Sequence, residues 1–445
     1  MESGVAGIHE QRVAAVVAQV KEASRLGVPY RKAKIAPSHF VPNTHAARGK
    51  EPRIDLTRFN DILSIDIAAQ TCTAEPGVTY SALVQATLPH GLIPYVVPEH
   101  KGITIGGAVS GCSLESMSYK VGGFHDTCLE YEVVTGSGEI RTLSREENPD
   151  DFEMVHGSYG TLAILTRLTF RLAAAKPFVH LQNHFFDNFP AYWEFLQERC
   201  ERDDCDFIDG IVHGPQRLVA CIGHMVDEAP YTSSYERENI YYKSTIAKDD
   251  DYVTTYDYFF RYDADAHWLT RTMPGLENRL VRKLFGPLFL GSTNIIKWAN
   301  RLRPIFALKK RPDIILDVFI PAPNFQLFFD WYVEHFDFWP LWIVPYKAPQ
   351  YYPWLADEHH QRMQGTFLID CAIYGRANGD PNIDLDELIE EKVFELGGIK
   401  TLISRNFYSP ETFWSIYSKP RFAAAKARLD PGNLFGDLYA KMGRK

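Results

Sequence analysis

The run Pro98-Glu99-His100-Lys101-Gly102-Ile103-Thr104-Ile105-Gly106-Gly107-Ala108-Val109-Ser110-Gly111 constrains this chain more than any other stretch. Two adjacent glycines remove the Cβ atoms that hold bulky groups off the backbone, so peptide N–H groups there can approach a large anionic ligand. A glycine pair also fits a tight corner between buried strands, and only its context separates the two readings. A dinucleotide fingerprint of the βαβ type needs Gly-x-Gly-x-x-Gly after a strand, with an acidic residue closing the second strand. That spacing is missing, as is a phosphate-loop lysine.

Around the run the text is α+β rather than a periodic βαβ chain. Val13, Val16, Val17 and Val20 recur at helical spacing and predict a helix over 9–26, ended by Gly27. Tyr30 to Arg53 is rich in Arg, Lys, Pro, Ser, Asn and His and reads as a loop able to hold phosphate oxygens. Strands are predicted over Ile62–Asp66 and Thr71–Val78, and a helix over Tyr80–Leu88. Gly136-Ser137-Gly138 joins two strand-like runs, Leu129–Thr135 and Glu139–Leu143, as a hairpin. Ala163–Leu172 alternates apolar and wetter positions. Aromatics become dense after Lys176-Pro177, which we take as a domain boundary. Further strands are predicted over Ile314–Ile320, Leu341–Val344 and Phe367–Ala372, and no repeat of solenoid length is visible.

Composition excludes several classes. A net charge of −9 argues against a general nucleic-acid binder, which needs surplus Lys and Arg. Seven scattered cysteines without a CxxC pair point away from zinc or thiol redox work, so no metal site is expected. No signal peptide and no membrane-spanning helix are predicted. A cytoplasmic location, with peripheral membrane contact beside it, is the expectation.

At Pro98, Thr104-Ile105-Gly106-Gly107, Gly111 and Leu114-Glu115-Ser116-Met117-Ser118-Tyr119-Lys120-Val121-Gly122, the sequence resembles the FAD-binding domain shared by vanillyl-alcohol oxidase and p-cresol methylhydroxylase. Gly157-Ser158-Tyr159-Gly160-Thr161-Leu162, Phe338-Trp339-Pro340-Leu341-Trp342, Asp370 to Gly375 and Leu429-Asp430-Pro431-Gly432-Asn433-Leu434-Phe435 bring it nearest the Δ24-sterol reductase (diminuto/seladin) branch and its bacterial relatives. The resemblance implies an α+β fold: a two-subdomain PCMH-type FAD-binding domain over 1–177, a sheet-and-helix substrate (cap) domain over 178–400, and a C-terminal segment, 401–445, returning to the FAD domain.

Carried over by motif, Thr104, Ile105, Gly106 and Gly107 would face the pyrophosphate. Gly111, Cys112 and Ser113 would approach the flavin, and Ile164 would contact FAD through its backbone. The first phosphate loop of this superfamily is usually glycine-rich, whereas Lys34 to Asn43 has no glycine. Ser38 and His39 fall in it as candidate FAD contacts, and noncovalent FAD is favoured over a bond to His39. The run Tyr256 to Trp268 packs aromatic and ionisable groups together. It supplies Tyr258, Arg261 and His267 as candidate catalytic residues, against an alternative in which the cluster is simply core.

From Arg279 to Arg311 there are nine Lys or Arg residues and no Asp or Glu, interleaved with Leu, Phe, Ile and Trp. Such a segment suits an anionic membrane surface or a solvated basic rim. The leading reading is an FAD-dependent oxidoreductase reducing a C=C bond in a lipid-like substrate, a sterol side chain or methylene-bearing acyl chain, with NADPH or NADH as transient electron donor. An alcohol oxidase or dehydrogenase is the alternative, and a non-catalytic lipid carrier or partner subunit is a third. Oligomeric state is open.

Overall fold

An apolar strand face has to be buried against another layer, so the strand-like stretches after Ile54 collect into sheets. The computed structural model describes residues 2–27, 31–33, 53–237, 239–273, 275–301 and 313–442. Among them, β1 (Arg31–Ala33) and β2 (Arg53–Asp55) form a parallel pair. A six-stranded sheet follows, built from β3 (Ile62–Asp66), β4 (Thr71–Ala74), β5 (Leu92–Pro94), β6 (Cys128–Val134), β7 (Ile140–Ser144) and β8 (Ile164–Ala174). Its order is β3-β4-β8-β6-β7, with β5 on the far end of β8.

The chain then crosses to an eight-stranded sheet of β9 (Phe178–Phe186), β10 (Phe207–Gly214), β11 (Arg217–Val226), β12 (Asp250–Thr254), β13 (Ile314–Pro321), β14 (Leu341–Lys347), β15 (Phe367–Arg376) and β16 (Ile399–Lys400). The order is β12-β9-β11-β10-β14-β15-β13-β16. Every pairing in the two larger sheets is antiparallel, which makes the fold α+β.

The period-2 pattern explains where the second sheet's residues point. Ile208, Val318, Ile343 and Cys371 enter one core, under the helices Phe189–Arg202, Phe325–His335 and Leu385–Glu395. Their strand neighbours Phe207, Phe319, Trp342, Val344, Leu368 and Tyr374 turn the other way, into a core shared with Val96, Val109 and Leu162 of the first sheet's module. The facing surface is therefore where residues from both modules meet.

The helices Pro410–Ile416, Lys419–Leu429 and Leu438–Met442 lead back to the first module. Gly136 N–H donates to the Leu429 carbonyl at 2.7 Å. Lys426 Nζ donates to the Thr161 carbonyl and to Asp430 Oδ2, both at 2.7 Å. Tyr159 joins three segments: its N–H donates to Ser110 O, its hydroxyl accepts from Leu402 N–H at 3.0 Å, and its carbonyl accepts from Lys441 Nζ.

The hairpin and β8 stand where the alternation places them. One stretch differs: the segment Tyr30 to Arg53, read as loop, contains strand β1 at Arg31–Ala33 and meets β2 at Arg53. Arg and Lys on so short a pair give no apolar alternation to detect. Ser38 and His39 lie outside the described residues.

Candidate active site

The glycine pair opens the short helix Ile105–Gly111. Ile105 N–H donates to Val78 O at 3.0 Å and Gly106 N–H to Pro76 O at 2.9 Å. A Cβ on Gly106 would lie 2.5 Å from Pro76 Cβ, so this glycine is required by packing. Gly107 is the exposed member of the pair, and Thr104 precedes the helix in extended conformation. The two glycines thus have different reasons, and only Gly107 keeps its backbone on the surface.

At the other end of that helix, Gly111 and Cys112 line a cavity of about 40 Å³ between the two modules. Gly157 and Tyr159 complete that wall, and Phe319, Tyr346, Leu368 and Ile399 stand opposite. A smaller cavity continues past Gly157, Trp354 and Tyr417. Cys112 and Tyr159 have positive φ (56° and 50°), a conformation that costs a side-chain-bearing residue free energy and persists where surroundings enforce it. Ser113 sits behind the lining, its carbonyl accepting Phe124 N–H at 2.9 Å. Ile164 starts β8 opposite Val134 and packs with Val13, Val16 and Val20, away from the cavity lining.

By this cleft the buried Trp354 Nε1 makes no hydrogen bond among the described residues, and His125 has only the Asp126 carboxylate, 3.3 Å from its Nε2. Burial lowers His125 to a pKa of about 4. A Cβ on Gly157 would sit 3.6 Å from Cys112 Sγ and 3.7 Å from the Trp354 ring. Missing side chains, an unsatisfied donor and an aromatic wall fit a planar heteroaromatic ring with polar edges, as in a flavin.

The helix Thr255–Phe259 and the turns after it carry the candidate catalytic residues, and the structure divides them into two groups. Tyr258 and Arg261 belong to a closed network. Arg261 Nη2 donates to Asp209 Oδ2 at 2.8 Å, and Nη1 lies 3.2 Å from Glu115 Oε1. Tyr258 pairs with Ser116 through their hydroxyls at 2.9 Å, while the Trp342 indole and Tyr262 hydroxyl also donate to Asp209. Burial, with the Asp209 charge, pushes Glu115 up to about 7 against the pull of Arg261. One guanidinium thus faces two carboxyls, one of which can hold a proton.

His267 joins a different group. Glu99, His100 and His267 bring ring and carboxylate atoms within 4.8 Å of one another. His267 Nε2 is 3.2 Å from Glu99 Oε1, and its ring stacks on Tyr374 at 4.4 Å and on Tyr262 at 4.7 Å. Burial keeps His267 below its ordinary pKa, so at neutral pH the neutral ring donates its Nε2 hydrogen to Glu99. Burial opposes charge on Glu99, but the His100 and His267 contacts prevail and hold it down to about 2.

Sequence reasoning missed the other half of this group. Tyr374 OH donates to Asp317 Oδ1 at 3.0 Å. Burial first, then the Glu99 charge, raises Asp317 to about 7. Burial and the charges of Asp317 and Glu99 raise Asp370 well above the carboxylate range. Both acids adjoin the cavity: Asp317 is two residues from lining Phe319 on β13, and Asp370 two from lining Leu368 on β15, so each shares a sheet face with a lining residue. The signal was present, because each is the lone acid of a mainly apolar strand.

Comparison with known proteins agrees with this geometry. Residues 11–144 match the family described as FAD binding domain. Over 455 aligned residues the chain is 24% identical to the human (Homo sapiens) Delta(24)-sterol reductase, covering 98% of this chain and 86% of that protein. The Delta(24)-sterol reductase homolog dhcr-24 of Caenorhabditis elegans is 25% identical, with 98% and 88% covered. An uncharacterized oxidoreductase, ORF5 in the fasciation locus of Rhodococcoides fascians, is 34% identical over 122 residues, 27% of each chain.

Proposed function

We propose that this chain, an FAD-dependent oxidoreductase related to the Delta(24)-sterol reductases, reduces a carbon–carbon double bond in an apolar, sterol-type substrate. The observation that carries the reading is the pair of carboxyls, buried Asp370 and part-buried Asp317, both with raised pKa, beside an apolar cavity between the modules. Alkene reduction adds one hydride and one proton across the double bond. Bound FAD, reduced by NADPH or NADH, supplies the hydride.

The chain's own residues supply the rest. Gly111, Cys112, Gly157 and Trp354 would hold the flavin ring, noncovalently. Phe319, Tyr346 and Leu368 would orient the alkene and exclude water from it. Asp317 keeps a proton near neutral pH because burial disfavours its charge and Glu99 is already negative. Tyr374 donates to Asp317 Oδ1 and fixes the carboxyl's orientation. Asp370, one strand away, is itself pushed well above the carboxylate range by burial and then by the charges of Asp317 and Glu99. His267 and Tyr374 act as positioning residues, because the stacked imidazole holds the Tyr374 ring while its Nε2 hydrogen keeps Glu99 ionised.

The purified protein, incubated with NADPH and a sterol carrying a Δ24 side-chain double bond, should yield a product two hydrogens richer. Turnover of an alcohol to its carbonyl with no alkene reduced would replace this reading with the oxidase one.

A further inference from the structure

The helix Arg279–Phe289 is held by one face and shows the opposite face to solvent. Asn278 caps it, its side chain accepting from Leu280 and Val281 N–H groups. Fully buried Arg282 donates to both oxygens of Asp265, at 2.5 and 3.0 Å, and Gly286, one turn on, is buried against Leu290. At 100° per residue, anchoring through 282 and 286 directs 280, 284 and 288 outward. Leu280, Leu284 and Leu288 are 64%, 63% and 59% exposed, and Phe285 beside them 48%.

Four large apolar side chains on one exposed strip of a well-anchored helix are not explained by the fold. A second helix, Ser292–Arg301, packs against the first, with the Trp298 ring on Phe289 at 5.4 Å and its indole donating to Leu288 O. Arg279, Lys283, Lys297 and Arg301 lie exposed on the two helices, and no Asp or Glu occurs from 279 to 301. An apolar strip on helices whose own charged residues are all cations is complementary to a bilayer with anionic headgroups.

We propose that this helix pair docks the enzyme on an anionic membrane surface, with Leu280, Leu284, Phe285 and Leu288 entering the acyl boundary and the four cations meeting lipid headgroups. The pair is joined to the candidate active site. Asp263 Oδ1 accepts from Ser292 Oγ at 2.6 Å and from Lys101 N–H at 2.9 Å, and Gly291 N–H donates to Ala264 O. The docked helices therefore rest on the segments that carry Glu99, His100 and His267, which suits delivery of an apolar substrate from a bilayer. The docking itself does not depend on the reaction assigned above.

Co-sedimentation of the flavin-loaded full chain with vesicles tests it. Phosphatidylcholine vesicles containing phosphatidylglycerol should pellet the protein, pure phosphatidylcholine should pellet much less, and added salt should weaken binding. The Lys297→Glu variant should lower partitioning by about fivefold or more, the effect of losing a cation near the surface. Leu284→Ser with Leu288→Ser should abolish binding while flavin absorbance and melting temperature are kept, since both side chains are exposed. Equal binding to both vesicle types, or none to either, overturns the proposal. So does a concentration-dependent dimer lost in the Leu284→Ser, Leu288→Ser variant without any vesicle binding, which would assign the strip to a second copy of the chain.

Discussion

Buried Glu99 and part-buried Asp317 belong to one group of side chains, yet their surroundings set opposite protonation. Glu99 accepts from His267 and lies beside His100, whereas Asp317 faces Tyr374 and the negative Glu99. Replacing Asp317 or Asp370 with Asn should lower turnover by about 10²–10⁴-fold, the usual worth of a positioned proton donor, with flavin absorbance retained. Loss of flavin together with turnover would make them core residues instead. The sign of the pH effect follows from the raised pKa. The native state binds the Asp317 proton more tightly than the unfolded chain, so this acid's contribution to stability falls as pH rises from 3.8 to about 7. Asp317→Asn should flatten that part of a stability–pH curve measured by denaturant unfolding. In contrast, Arg261→Met would leave Asp209 and Glu115 buried without their cation, at a cost of about 3–5 kcal/mol, and should reduce folded protein. The density of aromatic and ionisable residues in Tyr256–Trp268 was legible as a cluster. Which members join the Arg261 network and which join Glu99 depends on chain turns around Ala266 and His267, both at positive φ, and these leave no periodic trace.

The N-terminal helix Glu2–Leu26 is tied down by ion contacts of two of its residues, His9 and Arg12, the latter pairing with Glu75 at 2.6 Å and Asp61 at 2.7 Å. His9 reaches Glu75 at 2.8 Å and Glu132 at 3.0 Å, tying the helix to β6 and to the turn after β4. Burial opposes its charge, but hydrogen bonds to the two carboxylates prevail and raise it to about 9. This stabilisation is fully present below the unfolded value of 6.5 and is lost as pH rises through about 9. In His9→Leu, hydrogen exchange along the helix should speed up at neutral pH, and the alkaline loss seen in the parent protein should disappear. Unchanged exchange would mean that Val13, Val16 and Val20, with the Arg12 pairs to Glu75 and Asp61, dock the helix without His9. Helical spacing made this element legible from residue 9 onward. β5 and β16, of three and two residues, were not, because strands that short are defined by their partners.

At the scale of the molecule, the tail and the hairpin loop were each visible as motifs, but their meeting was not. Gly136 lies against Asp430, where a Cβ would stand 2.1 Å from Oδ1. Asp430 in turn accepts from Leu434 and Phe435 N–H groups and pairs with Lys426. Gly136→Ala should therefore destabilise the protein by about 1–3 kcal/mol, read as a lower melting temperature. Contacts between segments so far apart in the chain are fixed by tertiary packing, which local pattern does not encode. The same holds for the cavity, whose walls come from both modules and the C-terminal helices.

The central claim is that this assembled cleft reduces an alkene. It is tested most directly by anaerobic mixing, followed through the flavin absorbance. NADPH should bleach the bound flavin and a Δ24 sterol should restore it, with a restoration rate that declines as pH rises through about 7, where Asp317 ionises. Bleaching by an alcohol, with no restoration by the alkene at any pH, would contradict the account.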